Sequence, residues 1–147
     1  MNKALGTIIL LGLTVASLAG CANLQPTIKE LKPVPDEAIF APTIDGPRAT
    51  LTMLRTNEFE GGAAAYHLFI DGEMAAEICV GEYLSVPVRP GERIIEVRHE
   101  RSWGAPGDSE TIMAAAGKQY CFWITSGSMS IRMIRTTPEA VEVATGF

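Results

Sequence analysis

Between Ala49 and Arg135 the apolar residues come in short runs that alternate with polar ones. Turn residues break each run before it reaches helical length. Ala49-Thr50-Leu51-Thr52-Met53-Leu54-Arg55 alternates as a half-buried strand must, because successive side chains on a strand point to opposite faces. Similar runs follow over Tyr66–Ile70, Met74–Val80, Tyr83–Val88, Ile94–Arg98, Glu110–Ala114, Gln119–Thr125 and Met129–Arg135. That makes about eight strands at roughly ten-residue spacing, with no convincing long helix, which is the pattern of an all-β chain. The expected fold is a single antiparallel β-sandwich of about seven or eight strands, Ig-like in plan. Asp71-Gly72 is the clearest hairpin signal, because a two-residue type I′ turn needs φ > 0 at both positions. Arg89-Pro90-Gly91-Glu92 suits a type II turn. Pro87 lacks an amide donor, which points to an edge strand or a bulge. Taking alternate positions, the core is expected to hold Leu51, Met53, Leu68, Ile70, Ile78, Val86, Ile95, Val97, Tyr120, Phe122, Ile124, Ile131 and Met133.

The first 48 residues follow other rules. Lys3 precedes an uncharged stretch from Ala4 to Gly20, rich in Leu and Ile, that ends Leu18-Ala19-Gly20-Cys21. Positive charge, apolar run and small residues, in that order, read as a secretory signal over residues 1–20. It is short for a spanning helix, which wants about 20 apolar residues. Leu-Ala-Gly-Cys resembles the lipobox of bacterial lipoproteins. The resemblance implies a diacylglycerol thioether on Cys21, cleavage that leaves Cys21 first, and acylation of its amine. Two or more acyl chains anchor stably at about 0.8 kcal/mol per buried CH₂. Ala22, where inner-membrane lipoproteins often carry Asp, implies by the same resemblance an outer-membrane protein facing the periplasm, with inner-membrane anchoring the alternative. Residues 21–48 then form a tether carrying Pro26, Pro33, Pro35, Pro42 and Pro47, five of the nine prolines. Neither helix nor interior strand runs far through such a segment. Residues 38–45, with Ile39, Phe40 and Ile44, either dock on the domain or stay solvated. The domain proper is expected over 49–136, and residues 137–147 as a tail with at most one helical turn.

Charge excludes one large class. The net charge is −5, and loss of residues 1–20 would remove only Lys3 from the charged residues. A nucleic-acid partner needs a strong basic face, which an acidic chain does not supply. Arg55, Arg132 and Arg135 form at most a small basic patch, with scattered solvated charge as the alternative.

Three segments carry a further resemblance. They are Leu68 to Ile78 with its Asp71-Gly72, then Gly81-Glu82-Tyr83, then Val88-Arg89-Pro90-Gly91-Glu92 leading into Ile94–Val97. Together they are similar to the DUF2846 family of bacterial lipoproteins and, more distantly, to PEGA domains. Ala116-Gly117-Lys118-Gln119-Tyr120 matches that family's later Gly-Lys-x-Tyr step, although Cys121 stands where many members have a second aromatic. The similarity covers residues 49–126 and consists mostly of turns. It implies the fold and carries no activity.

Reactive side chains are few. If Cys21 is lipidated, Cys79 and Cys121 remain, which suits one disulfide in an oxidising compartment. Two buried thiols are the alternative. His67 and His99 have no partners at zinc-ligand spacing, so neither a metal nor a cofactor is expected. No Gly-x-Ser-x-Gly occurs, and the serines sit where turns use them. Glu58 with Glu60, and Asp108 with Glu110, are carboxylate pairs of the kind glycosidases use, with solvated loop charge as the alternative. The segment Arg98-His99-Glu100-Arg101-Ser102-Trp103 is the candidate binding surface. Trp and Arg dominate interface hot spots, and Trp103 plugging one end of the sandwich is the alternative. The expected function is a non-enzymatic binding module that meets an envelope protein or cell-wall glycan through Arg98, Arg101 and Trp103. A structural subunit pairing through an edge strand near Pro87 or through the tether comes second. A cell-wall glycan hydrolase is a distant third.

Overall fold

The structure, a computed structural model, describes residues 31–56, 64–100, 107–127 and 130–146. Among the described residues nine strands form two sheets packed face to face. β1 (Lys32–Pro33), β2 (Ala49–Arg55), β5 (Glu82–Val88), β8 (Gln119–Gly127) and β9 (Ser130–Thr136) form one sheet in the order β1-β5-β2-β8-β9. β3 (Tyr66–Ile70), β4 (Glu73–Ile78), β6 (Gly91–His99) and β7 (Asp108–Ala114) form the other in the order β4-β3-β6-β7. The expected sandwich is therefore present, with one correction to its antiparallel plan. β2 pairs in parallel with β8, and β1 in parallel with β5.

The alternation read from the sequence decides what fills the sandwich. Leu51, Met53, Leu68, Ile78, Val86, Ile95, Val97, Phe122, Ile124, Ile131 and Met133 are buried in one cluster, with Ile70 and Tyr120 packed partly buried against it. Tyr66, Leu84, Val88 and Ile112 belong to it as well, with Val34, Ala49, Ala75, Ala76 and Ala114 between them. Asp71 and Gly72 both have positive φ, 53° and 82°, as the type I′ turn requires. The Asp71 carboxylate also accepts from the Ile94 N–H at 2.9 Å and from Arg93 at 2.8 Å, which fastens the β3–β4 hairpin tip to β6. The Tyr120 hydroxyl donates to the Met113 carbonyl at 2.6 Å and accepts from the Ala115 N–H, closing the β7–β8 turn.

The tether boundary at residue 48 needs correcting. Leu31, Val34 and Ile44 are buried, so residues 31–48 are a strap on the sandwich. β1 adds to β5, a 3₁₀ turn over Asp36–Ala38 crosses to the other sheet, and Ile39 bridges Ala76 of β4. The strap thus covers the side where β5 and β4 would both present edges. Asp108 accepts from the Met133 N–H at 2.7 Å and Arg135 donates to Glu110 at 2.6 Å, closing the opposite side between β7 and β9.

The tail is also more ordered than expected. Pro138–Thr145 form helix α1, with Thr137 as N-cap and Gly146 at φ 76° ending it. Pro at the helix start and a left-handed glycine past its end are the favoured terminators. Val141 and Ala144 press on Leu31, Leu54 and Cys121, so the outer face of the five-stranded sheet has a second small core.

Truncating the two faces separates core from surface. Phe122→Ala should destabilise by about 3–5 kcal/mol in urea unfolding, and Met113→Ala, 67% exposed, by less than about 0.5 kcal/mol.

Candidate functional site

Strand registers sort the loops between two ends. Leu31, the chain on either side of the 57–63 segment, the Cys79–Gly81 turn and the strand ends at His99 and Gly127 gather at one end. The Asp71-Gly72, Arg89-Pro90 and Ala115–Lys118 turns gather at the other. At the first end Arg55 is buried, 2% exposed. Its Nη1 donates to the carbonyls of Ala64 and Ile78 at 2.8 and 2.9 Å, and its guanidinium lies 3.5 Å from the Tyr66 ring centroid. Burial lowers its pKa, against the raising effect of Tyr66, Cys79 and Glu82. Arg55 is therefore a tie between the sheets. With Arg135 paired to Glu110, the basic patch of Arg55, Arg132 and Arg135 does not form.

Of the expected binding residues, Arg101 and Trp103 lie outside the described residues. Arg98 stands on the outer face of the four-stranded sheet. Its Nε and Nη2 donate to the two carboxylate oxygens of Glu96 at 2.5 and 2.6 Å, and its guanidinium lies over Phe69, 4.3 Å from the ring centroid. The hydrogen bond from Arg98 holds the Glu96 carboxyl below the usual carboxylate range.

The registers align Met113 with Glu92, Thr111 with Ile94, and Ser109 with Glu96, Phe69 and Met74. Met113, Ile94, Phe69 and Met74 therefore run diagonally across all four strands as an apolar stripe. Ile94 is 49% and Met113 67% exposed. Beyond the stripe, His67 lies 3.7 Å from Glu77. The sequence analysis missed this stripe. Phe69 and Ile94 alternate with the expected core positions Leu68 and Ile95, but counting by twos from Ile78 turns Met74 inward, and the bulge between Leu68 and Phe69 is what sets it opposite Phe69.

Two hollows flank the strap. One of about 440 Å³ lies between Phe40, Pro42 and Ile44 of the strap and Ile70, Met74 and Val88 of the sandwich. The other, about 400 Å³, lies on the strap's far side against Thr50, Ser85 and Val86. Asp71 and Arg93 at the first hollow are already paired. Among the described residues no group of three His, Cys, Asp or Glu side chains is placed to hold a metal ion.

The expected disulfide between Cys79 and Cys121 is not formed. Cys79 is exposed in the turn after β4, where its N–H donates to Glu82 at 2.8 Å. Cys121 is buried beneath α1, level with Thr52 on β2. Cys79 sits instead at the Arg55 end of β2, three strand residues or about 10 Å further along. A disulfide needs Cα atoms within about 7 Å, and alternation in the sequence could not reveal that offset.

No protein-family model matches the chain, and no curated protein matches it. The likeness to DUF2846 and PEGA domains therefore rests on the motifs described above.

The thiols give a direct check. Denatured and unreduced, the chain should offer both Cys79 and Cys121 to an alkylating reagent. In the native state Cys79 should react promptly and Cys121 slowly, because burial pushes the Cys121 thiol pKa up. Loss of both reactivities under denaturing, unreduced conditions would mean that they are bridged.

Proposed function

We propose that this chain is a membrane-anchored, non-enzymatic interaction module of the bacterial cell envelope. It is held by lipid on Cys21, sits at the outer membrane facing the periplasm, and belongs among DUF2846-like lipoproteins. The anchor and the location rest on the Leu18-Ala19-Gly20-Cys21 sequence and on Ala22. The binding role rests mainly on one observation, the difference between the two outer faces. Helix α1 and Leu31 cover Leu54 and Cys121 on the outer face of the five-stranded sheet, leaving Ile134 there 51% exposed. On the four-stranded sheet the exposed side chains of Ile94 and Met113 lie in a cross-strand stripe with Phe69 and Met74, beside the Arg98–Glu96 pair. Apolar residues rimmed by charge are the usual composition of a protein contact surface.

The polar groups favour binding over hydrolysis. Asp71, Glu96, Asp108 and Glu110 each hold a structural partner: Arg93, Arg98, the Met133 amide and Arg135. The carboxylate pair Asp108 and Glu110 closes the sandwich seam, and the other pair, Glu58 and Glu60, lies outside the described residues.

Photocrosslinking in intact cells tests the reading. A photoreactive residue at position 94 should give one dominant protein adduct. The same residue at position 143, exposed on α1, should give none. Equal yields at both positions would remove the open face as the contact surface. A dominant adduct from position 103 instead would assign the contact to the 100–109 loop.

A further inference from the structure

The strap is joined to the sandwich at a few separated points. Its buried side chains are Leu31, Val34 and Ile44, with Ala38, Ile39 and Ala41 packed partly buried against the main core between the last two. Pro33, Pro35, Pro42 and Pro47 remove four amide donors from it. Main-chain bonds fasten it in three places. Lys32 and Val34 donate to Gly81 and Tyr83, Phe40 and Ala41 both donate to the Ala75 carbonyl, and Arg48 accepts from Gly117. Between Ala41 and Arg48 the one described hydrogen bond is from the Arg48 side chain to the Ile44 carbonyl, at 3.3 Å. That same stretch is flanked by hollows of about 440 and 400 Å³, and Phe40 remains 49% exposed. Sparse hydrogen bonding and loose packing mark segments that open below the free energy of global unfolding. β2 and β8, by contrast, pair on both sides along most of their length.

We infer that residues 31–48 are a releasable latch. They undock as a unit while the sandwich stays folded, and their release uncovers the edge of β4 and lengthens the tether. The lengthening rests on the proposed anchoring at Cys21; the release does not. At about 3.3–3.6 Å per residue, the chain from Cys21 reaches at most about 35 Å when it docks at Leu31, and about 100 Å when it is free to Ala49. Docking would then hold the domain close to the lipid surface, and release would let it reach a partner across a wider space. The opened edge of β4 would present unpaired main-chain groups, the surface to which an extended partner segment adds.

Hydrogen–deuterium exchange on the full lipidated chain in phospholipid vesicles tests this. Amides of residues 31–44 should exchange at least about 100-fold faster than those of β2 and β8. Val34→Asp with Ile44→Asp should abolish strap protection and leave β2 and β8 protected. Strap and core exchanging at one rate in the unmodified chain would overturn the latch, as would loss of β2 and β8 protection in the double variant, because the strap would then be part of the fold it is said to leave. Flotation of the same vesicles reports the anchor separately. A chain that stays off the vesicles but opens its strap first would overturn the reach and leave the release standing.

Discussion

The structure depends on one strand being buried on both faces. β2 sits at the centre of the five-stranded sheet, antiparallel to β5 and parallel to β8. Ala49, Leu51 and Met53 face the space between the sheets, and Leu54 faces the smaller core under α1. Arg55, at the end of the strand, reaches across to the Ile78 carbonyl of β4 and to the Ala64 carbonyl just before β3. Each neighbour of β2 is thereby fixed. β5 brings the strap, β8 brings β9 and the helix, and the guanidinium aligns the two sheets at one end. The parallel pairing also sets the topology. All four strands of the second sheet lie in the sequence between β2 and β8, so the central pairing is long-range. Pairing of that kind slows folding, because loop closure must precede the contacts that reward it.

The elements that were legible in sequence were those governed by local rules. Asp71-Gly72 encodes its turn through backbone φ alone, and alternation places Leu51, Phe122, Ile124 and their counterparts inward without knowledge of any neighbour. What could not be read depends on non-local geometry. The parallel β2–β8 pair leaves no mark in either strand. The strap has too little periodicity to be recognised, because its apolar residues match grooves made by distant strands. Helix α1 is signalled by Thr137, Pro138 and Gly146, but two turns of helix are persuasive only with a surface to cover. For the candidate site, Arg98 and Glu96 are two apart on one strand and so share a face, whereas the stacking of Arg98 on Phe69 and the stripe through Ile94 and Met113 require the register. The offset that keeps Cys79 from Cys121 is hidden for the same reason.

These features together describe a domain with one partly covered side and one open side. The covered side carries the helix and the start of the strap, and it is continuous with the chain that leads back toward Cys21. The open side carries apolar residues beside the Arg98–Glu96 pair, with exposed Glu92 level with Met113 at its rim, so a partner would meet one charge pair already satisfied. Desolvating an unpaired charge is among the larger penalties in association. This division of surfaces is what the proposed adaptor role draws on.

The functional account stands on the anchor, and the most direct measurement is the mass of the N-terminal peptide of the protein purified from membranes of its own cells. The account predicts a peptide that begins at Cys21 and carries a diacylglycerol thioether together with an amide-linked acyl chain. A peptide that begins elsewhere, or a Cys21 recovered with an unmodified thiol, would contradict it.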